Sequence, residues 1–115
     1  MEEKSKKQKM KELRKAFREL CLKRDGYRCV MCGYKPEKSK IEEKLNVHHI
    51  TTRKIMPNDG YTPFNGITLC CGCHEKAEVF HESDGMKFIE GFKIEDLYAK
   101  IGSSFAKAVE ESGKL

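Results

Sequence analysis

Apolar residues are sparse in this chain, and their spacing changes character along it. Leu13, Ala16, Phe17, Leu20 and Cys21 recur at i, i+3, i+4, i+7 and i+8, the stripe of an amphipathic helix that Asp25-Gly26 should stop. LNVHHI (45–50) and ITLC (67–70) are short apolar runs that read as strands. A helical period returns after Cys73 through HEKAEVFH and again from about Ile94, where Ile94, Leu97, Tyr98, Ile101 and Phe105 form one stripe despite Gly102. The charged segment 35–44 reads as a loop. So does TTRKIMPNDGYTPFNG, punctuated by Pro57, Asp59-Gly60, Pro63 and Asn65-Gly66, with Tyr61 and Phe64 to pin it. A loop of that length in a compact domain signals either a wrong assignment or a functional loop. The start, MEEKSKKQK, is too polar to pack.

The 115 residues make one domain, and with 38% hydrophobic against 36% charged residues its core needs a staple. The charge of +5 is uneven. Residues 1–28 hold 11 Lys/Arg and 5 Asp/Glu, the remainder 12 and 13. A basic end suits a polyanion such as nucleic acid, although a solvated amphipathic helix accounts for it equally well. No apolar run reaches the roughly 18 residues of a membrane span, and no apolar h-region follows the basic start. The expectation is a cytoplasmic protein in a reducing compartment, where paired cysteines bind metal more often than they form disulfides.

Cys29-Val30-Met31-Cys32 and Cys70-Cys71-Gly72-Cys73 are two CxxC pairs separated by 37 residues. Two residues between thiolates lets a tight turn present both sulfurs to one tetrahedral Zn²⁺, with Gly33 and Gly72 expected to supply the backbone freedom. Four thiolates close the coordination sphere, so this zinc is structural. Cys21 belongs to the apolar helix face. Cys71 is left over, with an off-register ligand as its alternative role.

A closed clip moves any chemistry to the histidines. His48 and His49 are adjacent on a strand, so their side chains diverge and cannot easily clasp one ion together. One of them can share a divalent ion with His74, which follows the last zinc cysteine. The other is then free to act as a general base near neutral pH. His81 reads as a surface or packing histidine.

The order CVMCG…LNVHHI…FNGITLCCGCHEK resembles the HNH endonuclease family over about residues 14–81, and RDGYRCVMCG resembles the usual lead-in. The resemblance implies an α+β fold: a small ββα-metal core with a four-cysteine zinc clip, flanked by N- and C-terminal helices. It divides the chain into a basic flexible 1–12, a core at 13–82 that includes the first helix, and a helical extension at 83–115. It implies metal-dependent hydrolysis of DNA phosphodiester bonds. His48 and His74 would hold the catalytic ion (Mn²⁺, Ni²⁺, Mg²⁺ or Zn²⁺), and His49 would activate water. Asn65 would fasten the loop and orient His49. Glu78, where some members carry a further histidine, would be a weaker or water-mediated ligand. Arg53 and Lys54 are candidates for a phosphate, and Lys11, Arg14, Lys15 and Arg18 for flanking backbone; ordinary solvated charges explain them too. Family members work in phage packaging, mobile elements, toxins and restriction, which brings in a packaging or restriction partner and a prokaryotic or phage-infected host. Two rival readings remain, a non-catalytic DNA-binding zinc module and a protein-interaction module scaffolded by zinc.

Overall fold

The computed structural model describes residues 5–115. The part of the expected flexible start that lies in residues 1–4 is outside them. Helix α1 runs Lys6–Arg24. It begins seven residues before the apolar stripe because Ser5 caps it, its hydroxyl accepting from the Gln8 amide at 3.1 Å. Lys23 and Arg24 place cations in the last turn, where the helix dipole favours them. The helix ends at Asp25, and Gly26 and Tyr27 follow at φ 70° and 56°.

Strand β1 spans Leu45–His49 and β2 spans Gly66–Cys70, paired antiparallel with His48 opposite Ile67 and His49 opposite Gly66. Helix α3 (Cys71–Glu82) leaves β2 directly. The result is a ββα unit. The segment expected to be a charged loop carries a 3-10 turn at Lys38–Lys40 and a one-turn helix, α2, at Ile41–Lys44. The long loop is built from short turns at Arg53–Ile55, Pro57–Gly60 and Pro63–Asn65, the second holding Asn58 and Asp59 at φ 49° and 59°.

The C-terminal stripe does not form one helix. Gly102, at φ 68°, separates α4 (Ile94–Lys100) from α5 (Phe105–Gly113), so Phe105 is 48% exposed instead of continuing the buried row. Leu20 is likewise 52% exposed, on the edge of the α1 stripe rather than in the core.

The pleat of the sheet sorts the two faces. Ile67 and Leu69 join Ile50, Ala77, Leu97, Tyr98 and Ala108 in a core beneath α3, α4 and α5. On the opposite face Val47 packs with Phe17, Cys21 and Tyr61 against α1. Gly66 is required here, since a Cβ would sit 2.6 Å from both Cys21 Sγ and the Phe17 ring. Arg24 and Asp25 lock α1 to β2. The Arg24 guanidinium donates to the Gly66 and Pro63 carbonyls at 2.7 and 2.6 Å, and Asp25 Oδ2 accepts from the Thr68 amide at 3.0 Å. No described helix is long and apolar enough to cross a membrane.

Candidate active site

The four thiols of Cys29, Cys32, Cys70 and Cys73 converge, with their sulfurs all within 4.8 Å of one another and Cys32 Sγ 3.6 Å from Cys70 Sγ. Tetrahedral zinc at its usual Zn–S length sets sulfurs about 3.8 Å apart, so the cluster fits the ion. Burial pushes the Cys29 thiol up, but backbone groups of Cys32, Cys70 and Met31 outweigh it and bring the thiol down to about 7. Burial and the neighbouring thiols raise Cys73. Gly33 takes a left-handed φ of 80° after the first pair, as its turn requires. Gly72 does not need its freedom; it lies in the first turn of α3 at an ordinary helical φ. Cys71 is exposed and turned from the clip, its sulfur 3.8 Å from Asn46 Nδ2 and from the Lys44 carbonyl. Cys21 is fully buried, and that burial pushes its thiol up to about 12.

The clip brings β1 and α3 together beside a pocket of about 530 Å³ lined by His48, His49, Arg53, Lys54, Asp59, His74, Glu78 and His81, among others. His48 lies on the α3 side of the sheet, 3% exposed. Its Nδ1 is 3.1 Å from Glu78 Oε1, and His74 Nε2 is 3.0 Å from the same oxygen. Two imidazole nitrogens and one carboxylate oxygen thus lie within 4.8 Å of one another, a donor set that suits a borderline divalent transition metal. Glu78 stands one helical turn after His74 on the same face of α3. His81, one further turn on, stacks on His48 with centroids 4.9 Å apart, and its Nε2 bonds the His49 carbonyl at 2.9 Å. It therefore packs, as a packing histidine does, but against both strand histidines.

His49 lies on the other face. Phe17 stacks on its ring and Tyr61 meets it edge-on at 5.0 Å. The Asp59 backbone accepts a hydrogen bond from the ring, while Nε2 has no partner among the described residues. That leaves Nε2 as the nitrogen with a free lone pair. Burial, then the charges of Arg53 and His81, lower His49 to about 4, and burial lowers His48 to about 3. Both imidazoles are neutral at pH 7. A neutral imidazole can accept a proton or ligate a metal.

Asn65 is fully buried, and its amide is saturated. Oδ1 accepts from the Thr51 amide at 2.9 Å and from the Tyr98 hydroxyl at 2.8 Å, while Nδ2 donates to the carbonyls of Thr51 at 3.1 Å and Gly60 at 3.3 Å. It ties down the chain immediately after His49. Tyr61 is buried within the loop, whereas Phe64 is 39% exposed and pins less than the sequence suggested.

The basic residues occupy different environments. Arg53 and Lys54 line the histidine pocket. Lys11, Arg14, Lys15, Arg18 and Arg53 line an adjoining groove of about 600 Å³ that reaches His49 and Tyr61. Arg14 Nε donates to the Tyr61 hydroxyl at 3.3 Å. Arg18 is partly spent on packing, with Nη2 3.4 Å from the Leu45 carbonyl and 3.4 Å from Glu42 Oε2 on α2.

Sequence reasoning named His48, His49, Asn65 and His74; the structure places the three histidines on one pocket and Asn65 in the loop behind it. It gave Glu78 and His81 minor roles, although the 74, 78, 81 spacing is a helical face and carried the signal. Phe17, Tyr61 and Tyr98 as neighbours of the site had none. In comparison with known proteins, residues 29–79 match the HNH endonuclease family. No curated protein and no solved structure matches the chain.

Proposed function

We propose, from the match of residues 29–79 to the HNH endonuclease family, that the protein is a metal-dependent endonuclease hydrolysing DNA phosphodiester bonds. The observation that carries the reading is the separation of tasks across β1. His48 converges with His74 and Glu78 on one face, while His49, whose Nε2 has no partner among the described residues, lies on the other and shares the same pocket.

His49 Nε2 takes the proton of the attacking water, and the Asp59 carbonyl on the opposite ring nitrogen fixes the tautomer that makes this nitrogen basic. His48, His74 and Glu78 are the residues that would hold a divalent ion. When bound, that ion supplies charge stabilisation to the phosphate and the departing 3′-oxygen. Two imidazoles and one carboxylate suit Mn²⁺ or Ni²⁺ at least as well as Mg²⁺, which prefers oxygen ligands. Arg53 and Lys54 face the phosphate from the pocket wall, and Lys11, Arg14 and Lys15 continue the positive path along α1. Phosphate contacts of this kind are salt-sensitive and read little sequence.

Plasmid nicking by the zinc-loaded protein across Mg²⁺, Mn²⁺ and Ni²⁺, with His49→Ala in parallel, tests the reading. The expected result is cleavage by the wild type and a loss of about 10²–10⁴-fold in the variant, with zinc content and folding retained. Equal cleavage by both proteins removes His49 as the base. No cleavage in any metal leaves a zinc-scaffolded binding module.

A further inference from the structure

Outside the family match, the C-terminal segment reaches back onto the loop that carries the site at three places. Tyr98 of α4 bonds Asn65 and Thr51. Ser103 Oγ donates to the Phe64 carbonyl at 2.9 Å. At α5, Ser112 Oγ donates to the Pro57 carbonyl, and Asn58 Nδ2 donates to the Ser112 carbonyl at 2.9 Å. The loop between β1 and β2 is thus splinted by elements from residues 94–113.

Tyr98 is the contact nearest the chemistry. It is 3% exposed, and Asn65 and Thr51 beside it are at least as well buried. Its single hydroxyl proton goes to Asn65 Oδ1, an acceptor only. The Thr51 hydroxyl, 2.6 Å away, must therefore donate to the Tyr98 oxygen. The chain Thr51 Oγ1–H to Tyr98 O–H to Asn65 Oδ1 is closed by the Thr51 amide returning to Asn65 Oδ1. Every polar group in this ring has its partner, in a setting where an unmade hydrogen bond is costly. Thr51 lies two residues after His49, and the Asn65 side chain also holds the Gly60 carbonyl beside Asp59, whose backbone bonds the His49 ring.

We infer that Tyr98 is a positioning residue for the reaction, acting from the C-terminal segment through Asn65 to set the backbone on both sides of His49. The inference rests on the nuclease reading and deepens it, placing part of the catalytic geometry outside residues 29–79. Tyr98→Phe keeps the ring that fills the core and removes only the hydroxyl. A small displacement of a reacting group costs much in rate and little in substrate binding, so kcat is expected to fall about tenfold while KM and zinc content stay unchanged.

The test uses the full chain with Mn²⁺ and duplex DNA, well below the melting temperature of every variant. Thr51→Val should give the same loss of kcat as Tyr98→Phe, with the double variant no worse than either single one. Ser103→Ala, which releases the splint away from Asn65, should lower stability without changing kcat. Amide exchange at Thr51 should quicken in Tyr98→Phe. Unchanged kcat in Tyr98→Phe, or a change confined to KM, overturns the inference. So does a loss in Ser103→Ala equal to that in Tyr98→Phe, because the splint would then act only through stability. If the wild type cuts no DNA in any metal the nuclease reading fails by itself, and Thr51 exchange still decides whether Tyr98 holds the loop.

Discussion

The Phe17 ring of α1 lies on the His49 imidazole with centroids 4.6 Å apart and planes inclined by 28°. One side of the candidate base is therefore hydrocarbon supplied by a helix outside the family match. That cover is part of the burial that lowers the imidazole to about 4.

Above about pH 6.5 His49 is neutral in both folded and unfolded chains, so it adds no pH dependence there. Between about 6.5 and 4 the unfolded chain binds the proton and the folded one does not, so stability declines as pH falls through that window. Activity behaves differently. Its His49 limb should lie near 4, not 6.5, leaving kcat/KM flat from pH 7 to about 5. Arg53→Gln removes the charge that ranks second after burial and should move the limb upward. A wild-type limb at 6.5 in the pH–rate profile would contradict the burial argument.

Zinc should be inseparable from folding. Structural sites of this kind contribute about 10–16 kcal/mol of apparent binding energy in zinc-finger peptides. Either Cys29→Ser or prolonged treatment with a strong chelator should therefore collapse the cooperative thermal transition seen by circular dichroism. Cys71→Ser, at an exposed sulfur outside the cluster, should leave both zinc content and melting temperature unchanged.

Glu78 offers its Oε1 to both His48 and His74. Glu78→Gln keeps the shape and removes the charge. The Mn²⁺ concentration for half-maximal activation should rise by about 10-fold or more, with kcat at saturating metal little changed. Glu78→His restores a nitrogen ligand and should recover most of the affinity, with a preference moved toward Ni²⁺. Metal titration of the cleavage rate measures both.

Two glycines separate packing from propensity. At Gly66 a Cβ would meet Cys21 and Phe17 at 2.6 Å, so Gly66→Ala should cost about 1–3 kcal/mol and lift α1 from His49, lowering activity as well. Gly72 has nothing within 4 Å and lies in α3, so Gly72→Ala should be neutral or stabilising by up to about 1 kcal/mol. Urea unfolding of the two variants checks the contrast.

What the sequence by itself determined was local. Two residues between cysteines set each half of the clip, and alternation along LNVHHI sent His48 and His49 to opposite faces, because a strand pleat admits no other arrangement. The 74, 78, 81 spacing put three ligand-type side chains on one helical face. These are constraints between residues a few positions apart, and backbone geometry alone enforces them. Tertiary structure decided which side chains complete the site. Phe17 reaches His49 from 32 residues away, and Tyr98 reaches Asn65 from 33. Gly102 turned an apparent single stripe into two helices whose ends grip the loop. No periodic signal encodes such contacts, since they depend on how helices pack on the two faces of a two-stranded sheet and on which buried polar groups must then find partners.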